Sequence, residues 1–228
     1  FKIIPDNNVC AIALQNKEID VAVTVATEDI DNVAALDYVE LRSSGVGGTR
    51  WIGINVQHEL FKDVDVRRAL TMMIDVDKAV EALFKTKSGI QLAVRGYAPI
   101  PLERPGGDAV ERYKAKYPGY NPAEGKKILE AKGWKLNANG IYEKNGKPFS
   151  FILQVGNNDP IRENLSVIVA TQLKENGIDC TARTAEWGTH LTDLSAGNLP
   201  MYIVGGYSSL DGPMKIMHTD PLSFSPNP

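Results

Sequence analysis

WIGINVQHELFKDVDVRRALTMMIDVDKAV, residues 51–80, decides the fold: a short strand-like run, a polar turn, then two helices set end to end. Val66, Ala69, Leu70, Met73 and Ile74 recur at i, i+3, i+4, i+7 and i+8, the spacing of one buried helical face, so Arg67 and Arg68 point away from it. Asp75 is placed to cap a second helix, since a carboxylate accepts from the unpaired N–H groups of a first turn. Val76, Ala79, Val80 and Leu83 repeat the apolar spacing beyond it.

Outward toward the start of the chain, residues 2–4 read as a strand, and Asp6 caps a short helix with Val9, Ile12 and Ala13 inward. VAVTV (21–25) then reads as a second strand, completing a β-α-β unit. A helix follows Thr27 or Asp29, and residues 38–44 return as a strand. Toward the end of the chain, Pro99, Pro101, Pro105, Gly106 and Gly107 make residues 86–120 loop-rich. Asn121 and Pro122 open a helix that stops at Gly133. Asn145-Gly146 is a tight hairpin turn whose second arm, 148–155, sets Phe149, Phe151, Leu153 and Val155 on one face. Asp159-Pro160 begins a helix with Ile161, Leu165, Ile168 and Leu173 inward and Gly177 as its stop. A strand over 178–183, a short helix over 188–195 and a strand over 201–204 follow, the last running into Gly205-Gly206-Tyr207. Helix and strand alternating in this way predict mixed α/β layers.

Composition narrows the function. With 228 residues, 43% of them hydrophobic, the chain can bury one sizeable core or two smaller ones. A net charge of −3 with scattered Lys and Arg lacks the basic patch that a phosphate backbone requires, which argues against a nucleic-acid partner. No apolar run reaches bilayer length, and residues 1–5 do not read as a targeting segment. Cys10 and Cys180 are too far apart for a CxxC motif and read as two buried or half-buried thiols.

Catalytic signatures are missing as well. None of the three histidines stands at i, i+4 from another, so the chain has no zinc helix of the HExxH kind. GVGGTR (45–50) has Arg50 where a dinucleotide loop needs its third glycine and precedes a strand, not a helix. Gly146-Lys147 lacks the rest of a phosphate loop, and no Gly-x-Ser-x-Gly elbow occurs. Asn164-Leu165-Ser166 matches a glycosylation pattern but falls within an expected helix. No cofactor is implied, and an enzyme, such as one that processes peptides, has no candidate catalytic pair.

The order of motifs carries the resemblance. ALQNKEIDVAV (13–23), RWIGINVQ (50–57), FKDVDVRRALTMMIDVDKAV (61–80), YNPAEGKKILEAKGW (120–134) with GIYEKNGKPFSFIL (140–153), IVATQLKENGID (168–179), AEWGTHL (185–191) and VGGY (204–207) together resemble the extracellular solute-binding proteins of the oligopeptide, dipeptide and nickel ABC-transporter family. The resemblance implies a periplasmic-binding-protein-like type II fold, a two-lobed α/β clamp that closes on a ligand. Residues 1–52 would form the end of the first lobe and the crossover strand, and 53–228 most of the second lobe. The chain is then expected to be a fragment, and a secretion signal would lie outside it.

The same resemblance places the ligand at the strand end Val204-Gly205-Gly206-Tyr207-Ser208. Gly205 and Gly206 would allow close backbone approach, or simply form a tight turn, and Tyr207 stands where the family usually has tryptophan. Asp211 lies near the position of an aspartate that pairs with a peptide's amino group, offset by about one residue, with Gly212-Pro213-Met214 in place of Pro-Asp-Pro. Asn157 and Asn158 lie in the loop where dipeptide binders carry an arginine for the ligand carboxylate. This loop has none, and Arg162, the nearest, reads as a solvated charge on a helix. Trp187 packs on the second-lobe core or lines the cleft. Arg67-Arg68, a family hallmark, fits salt bridges that brace the lobe. His218 is a candidate metal ligand of the kind nickel-binding relatives use, against the alternative of a surface histidine with no role.

The resulting expectation is the ligand-capture subunit of an ABC importer, a monomer outside the cytoplasm, periplasmic or lipid-anchored at the cell surface. It would bind a peptide or similar small polar solute and deliver it to permease and ATPase subunits in the membrane. The alternative within the family is a nickel or other metal-chelate ligand.

Overall fold

The computed structural model describes residues 1–42, 48–97, 114–117 and 119–206. By contact the chain divides into two compact units, Phe1–Gly45 with Val80–Val94, and Val46–Ala79 with Arg95–Pro228.

The first unit is built around α1 (Asn7–Gln15) and α2 (Ile30–Ala34). Asp6 caps α1 as expected, its Oδ1 accepting from the backbone N–H of Asn8 at 2.8 Å and Val9 at 3.3 Å. The inward face differs from the sequence reading. Ala11, Ala13 and Leu14 are buried, whereas Val9 and Ile12 are exposed. Ala11 and Leu14 form a small cluster with Val33, against which Ile19, Ala22, Val25 and Val39 pack. Residues 2–4, 21–25 and, as far as 42, 38–44 are not strands. Strand propensity is largely packing against cross-strand neighbours, and these segments have no ladder partner among the described residues. Val21 and Val23 accordingly stand 77% and 97% exposed.

The second unit carries a four-stranded sheet of order β1-β7-β5-β6: β1 (Thr49–Ile54), β5 (Ser150–Gly156), β6 (Asp179–Ala185) and β7 (Met201–Gly206). β5 is central and parallel to both β6 and β7, while β1 runs antiparallel to β7 from Thr49↔Gly206 to Ile54↔Met201. The stretch 51–80 forms as read. After β1 come α3 (Val64–Met72), capped by Asp63, and α4 (Val76–Phe84), where Asp75 Oδ1 accepts from Lys78 N at 3.0 Å. Val66, Ala69, Leu70, Met73 and Ile74 are all buried. Arg68 is exposed and pairs with Asp65, but Arg67 turns back, its Nη1 donating to the carbonyls of Phe61 and Lys62 at 2.6 and 3.0 Å. The division between units falls within α4.

Asn121 caps α5 (Pro122–Ala131), which lies against α3 so closely that a Cβ on Gly125 would stand 2.7 Å from the Ala69 carbonyl oxygen. A small sheet, β2 (Lys135–Leu136), β3 (Tyr142–Lys144) and β4 (Lys147–Pro148), contains the expected turn, with Asn145 and Gly146 both at positive φ. The expected single arm 148–155 is divided in the structure: β4 ends at Pro148 and β5 joins the main sheet. Phe149 is the hand-over: its N–H still donates to the Tyr142 carbonyl at 2.7 Å, while its own carbonyl accepts from Asp179 N of β6 at 2.9 Å. Phe149, Phe151, Leu153 and Val155 still share one buried face, in a core with Phe61, Leu70, Met73, Leu129, Trp134 and Leu173. Trp134 stacks on Phe149 at 4.4 Å, and Phe61 meets Phe151 edge-on at 5.0 Å.

α6 (Pro160–Glu175) crosses from β5 to β6, and α7 (Trp187–Ser195) follows β6. The buried stripe of α6 is Arg162, Ser166, Val169, Ala170 and Leu173, while Ile161, Leu165 and Ile168 are half-buried. The stripe is rotated from the apolar pattern because Arg162 finds partners inside the unit.

Candidate functional site

Three parallel strands end at one edge. Gly156 of β5 pairs with Ala185 of β6, and Gly205 and Gly206 end β7 opposite Arg50 and Thr49. In open α/β sheets the carboxyl ends of strands form the natural ligand crevice, because backbone groups there leave the ladder and side chains of the following loops converge. The edge therefore collects Gly205 and Gly206, the loop 157–159, and Trp187 at the start of α7. Asn157, Asn158 and Gly205 are exposed, and Trp187 is half-buried. Val204 is 7% exposed and lies opposite Trp51 in the ladder. Tyr207, Ser208, Asp211 and His218 lie outside the described residues.

Asp159 organises the loop. Its Oδ1 caps α6, accepting from Ile161 N at 3.0 Å and Arg162 N at 3.3 Å. Its Oδ2 accepts from Arg162 Nε at 3.0 Å and from Arg50 Nε and Nη2 at 3.0 and 2.9 Å. Burial by itself would raise the pKa of Asp159, but the charge of Arg50 and the hydrogen bonds from Arg162 and Arg50 outweigh it and hold the carboxyl below its usual range.

Arg162 is not the solvated charge expected from its place on a helix: it is only 7% exposed. Asp159 takes its Nε, Asn158 Oδ1 takes Nη2 at 3.0 Å, and the guanidinium carbon lies 5.0 Å from the centroid of the Trp187 ring. Nη1 has no protein acceptor among the described residues. Trp187 in turn stacks on His190 of its own helix at 5.7 Å. Space for the ring exists because residue 156 is glycine.

Beneath the ring is a polar layer, buried at Gln154 and His190. Gln154, fully buried on β5, accepts at Oε1 from Arg183 Nε at 2.8 Å and from its Nη2, which fixes Nε2 as the donor toward Asp193 Oδ2 at 3.1 Å and His190 Nδ1 at 3.4 Å. An acceptor Nδ1 puts the His190 proton on Nε2, which is buried without a protein partner among the described residues. Desolvation, with the charge of Arg162 added, lowers the His190 pKa, and Asp193 opposes them.

Of the residues singled out in sequence, Val204, Gly205, Gly206, Asn157, Asn158 and Trp187 lie along this edge, and Arg162, the nearest arginine to the loop, lies there with Arg50, Gly156 and Asp159, which local pattern does not single out for a ligand. The Asp159–Arg162 spacing of three was visible. Arg50, 109 residues from its partner, left no local signal. Among the described residues no group of three or more His, Cys, Asp or Glu is arranged to hold a metal ion, and no helix is long and apolar enough to cross a membrane.

The family model for bacterial extracellular solute-binding proteins, family 5 (middle region), matches residues 1–223. The oligopeptide-binding protein AppA of Bacillus subtilis is 30% identical over 199 residues, 87% of this chain and 35% of the relative. The solved structure of that protein with a nonapeptide superposes with a TM-score of 0.68 at 28% identity, covering 91% of this chain and 40% of the other. NikA of Brucella suis, solved with Fe(III)-EDTA, shares the fold at a TM-score of 0.79 and 23% identity, over 93% of this chain and 42% of that one. The chain spans about a third of the length of the curated AppA relative.

Proposed function

Since this chain belongs to the bacterial extracellular solute-binding proteins of family 5, we propose that it is part of the ligand-capture subunit of an ABC importer, binding a peptide at the carboxyl edge of its sheet. One observation carries the reading. Strand ends, an exposed glycine backbone, two exposed asparagines and a half-buried tryptophan converge at that edge. An extended peptide has an N–H and a C=O at every residue, and each one buried without a partner costs roughly 1–3 kcal/mol. Backbone groups beside Gly205 and the Asn157 and Asn158 amides can satisfy such groups without regard to side-chain identity, and Trp187 offers apolar area.

On this reading residues 1–52 supply the end of the first lobe and the crossover strand β1, and 53–228 most of the second lobe, with 80–94 clustering with the N-terminal unit. Val204, Gly205, Gly206, Tyr207, Ser208, Asp211, Asn157, Asn158 and Trp187 are assigned to the ligand surface. The intact protein works outside the cytoplasm as a monomer, by binding and release, and hands its ligand to a membrane permease driven by ATPase subunits. The 30% identity to an oligopeptide-binding protein favours a peptide over a metal chelate.

Native mass spectrometry of the intact protein, purified without denaturation, tests this. A ladder of adducts at peptide masses is expected. A single adduct containing a transition metal overturns the peptide assignment and turns attention to His218.

A further inference from the structure

We propose that Arg162 is the positioning residue of the ligand edge, setting the Trp187 ring through a chain of contacts that runs from Arg50 through Asp159 and Arg162 to the indole. The inference rests on the reading that this edge receives the ligand.

Trp187 is the first residue of α7, capped by Glu186, whose side chain accepts from Thr189 N. A first-turn side chain has no preceding turn of its own helix to lean on, so its direction is set by neighbours. Gly156, His190 and Arg162 lie against the ring. Gly156 only leaves room, and His190 lies on the same helix, so neither ties the ring to another element by attraction. Arg162 does, from α6, with its guanidinium over the ring. The guanidinium is itself fixed, because Asp159 and Asn158 engage two of its nitrogens in the plane and leave the flat face for the indole. Asp159 also binds Arg50, and Arg50 is the register partner of Gly205. One carboxylate thus links the glycine backbone at one side of the edge to the aromatic wall at the other.

Helix capping is the competing role for Asp159, and substitution separates the two. Asparagine caps about as well as aspartate but carries no charge for the two arginines. At position 162, lysine keeps the charge and loses both the fork and the flat face.

The test uses the intact protein labelled with 5-fluorotryptophan, the Trp187 resonance being assigned with Trp187→Phe. Fluorine spectra and calorimetric titration with a pool of synthetic random-sequence nonapeptides are recorded for wild type, Asp159→Asn and Arg162→Lys. Both variants are expected to move or broaden the Trp187 resonance, leave the buried Trp134 resonance in place as the sign of an intact fold, and weaken binding roughly tenfold. A Trp187 resonance unmoved in both variants overturns the proposal, as does one that moves while peptide affinity stays at the wild-type value. Wild-type protein that binds no nonapeptide overturns the peptide reading of the site instead, and the Trp187 resonance then decides the positioning role without it.

Discussion

A Cβ on Gly156 would stand 2.5 Å from Cε3 of Trp187 and 3.1 Å from its Cζ3, so the last residue of the central strand has its identity set by an aromatic ring that is 31 residues away in sequence. The backbone of Gly156 is not in the left-handed region, which leaves the contact as the reason for glycine.

Gly156→Ala is therefore expected to push the ring out of its place. The loss of folding stability should be about 1–3 kcal/mol, the usual range for forcing an extra carbon into a filled space. Urea unfolding followed by tryptophan fluorescence measures it. Unchanged stability together with an unchanged emission spectrum would show that the ring relaxes freely.

Asp159 gives a pH signature. Its carboxyl is held below the ordinary 3.8, because the charge of Arg50 and the arginine hydrogen bonds outweigh the effect of burial. A carboxylate with a depressed folded pKa adds stability above its unfolded pKa and loses it as pH falls through the folded value. Wild type should exceed Asp159→Asn by about 1–3 kcal/mol at pH 7. The gap should close as the pH is taken below 3.8. Urea midpoints of both proteins at a series of pH values test this, and a gap that does not vary with pH would show that the charge contributes nothing.

His190 acts in the neighbouring pH range. Desolvation and the nearby Arg162 lower its pKa from 6.5, against Asp193. The unfolded chain therefore takes up a proton that the folded protein resists, and stability falls as pH drops below 6.5 until the folded pKa is reached. His190→Gln should be the less stable protein at pH 7.5, since it loses the stack on Trp187, yet should lose less than wild type between pH 7 and pH 5. Parallel pH profiles of the two thermal midpoints would rule out His190 as the origin of the acid sensitivity.

The two thiols should differ in reactivity. Cys180 is buried on β6, and desolvation with the charge of Asp179 pushes its pKa up to about 12, so almost no thiolate is present at neutral pH. Cys10 is only half-buried. Of the two, Cys10 alone is expected to react with an aromatic disulfide reagent in native protein, with Cys180 joining in denaturant. Rapid native labelling of Cys180, located by peptide mapping, would contradict its buried setting.

Local pattern carried most of the second unit. The helical spacing from Val66 to Ile74, the caps Asp75, Asn121 and Asp159, the Asn145-Gly146 turn and the alternation from Phe149 to Val155 all appear where they were read. Each is a short-range effect: a periodic apolar face, a side chain that satisfies the first N–H groups of a helix, or a residue that tolerates positive φ. The order of motifs identified the family because a shared fold keeps such signals in the same sequence.

Whatever needed a distant partner was decided by the tertiary structure. Valines at 21 and 23 have strand propensity, but a strand exists only where another backbone pairs with it, and none of the described residues does so. Arg162 looks like any helical surface charge until Asp159, Asn158 and Trp187 are brought around it, and burial of a charge depends on those partners, not on its place in a helix. Arg50 and Gly205 meet only because β1 lies antiparallel to β7, and a Cβ at Gly156 is excluded because Trp187 arrives from the far end of β6. Sequence sets periodicity, caps and turns because these act over a few residues. The carboxyl edge of the sheet is set by register and packing between strands far apart in the chain, which no local spacing encodes.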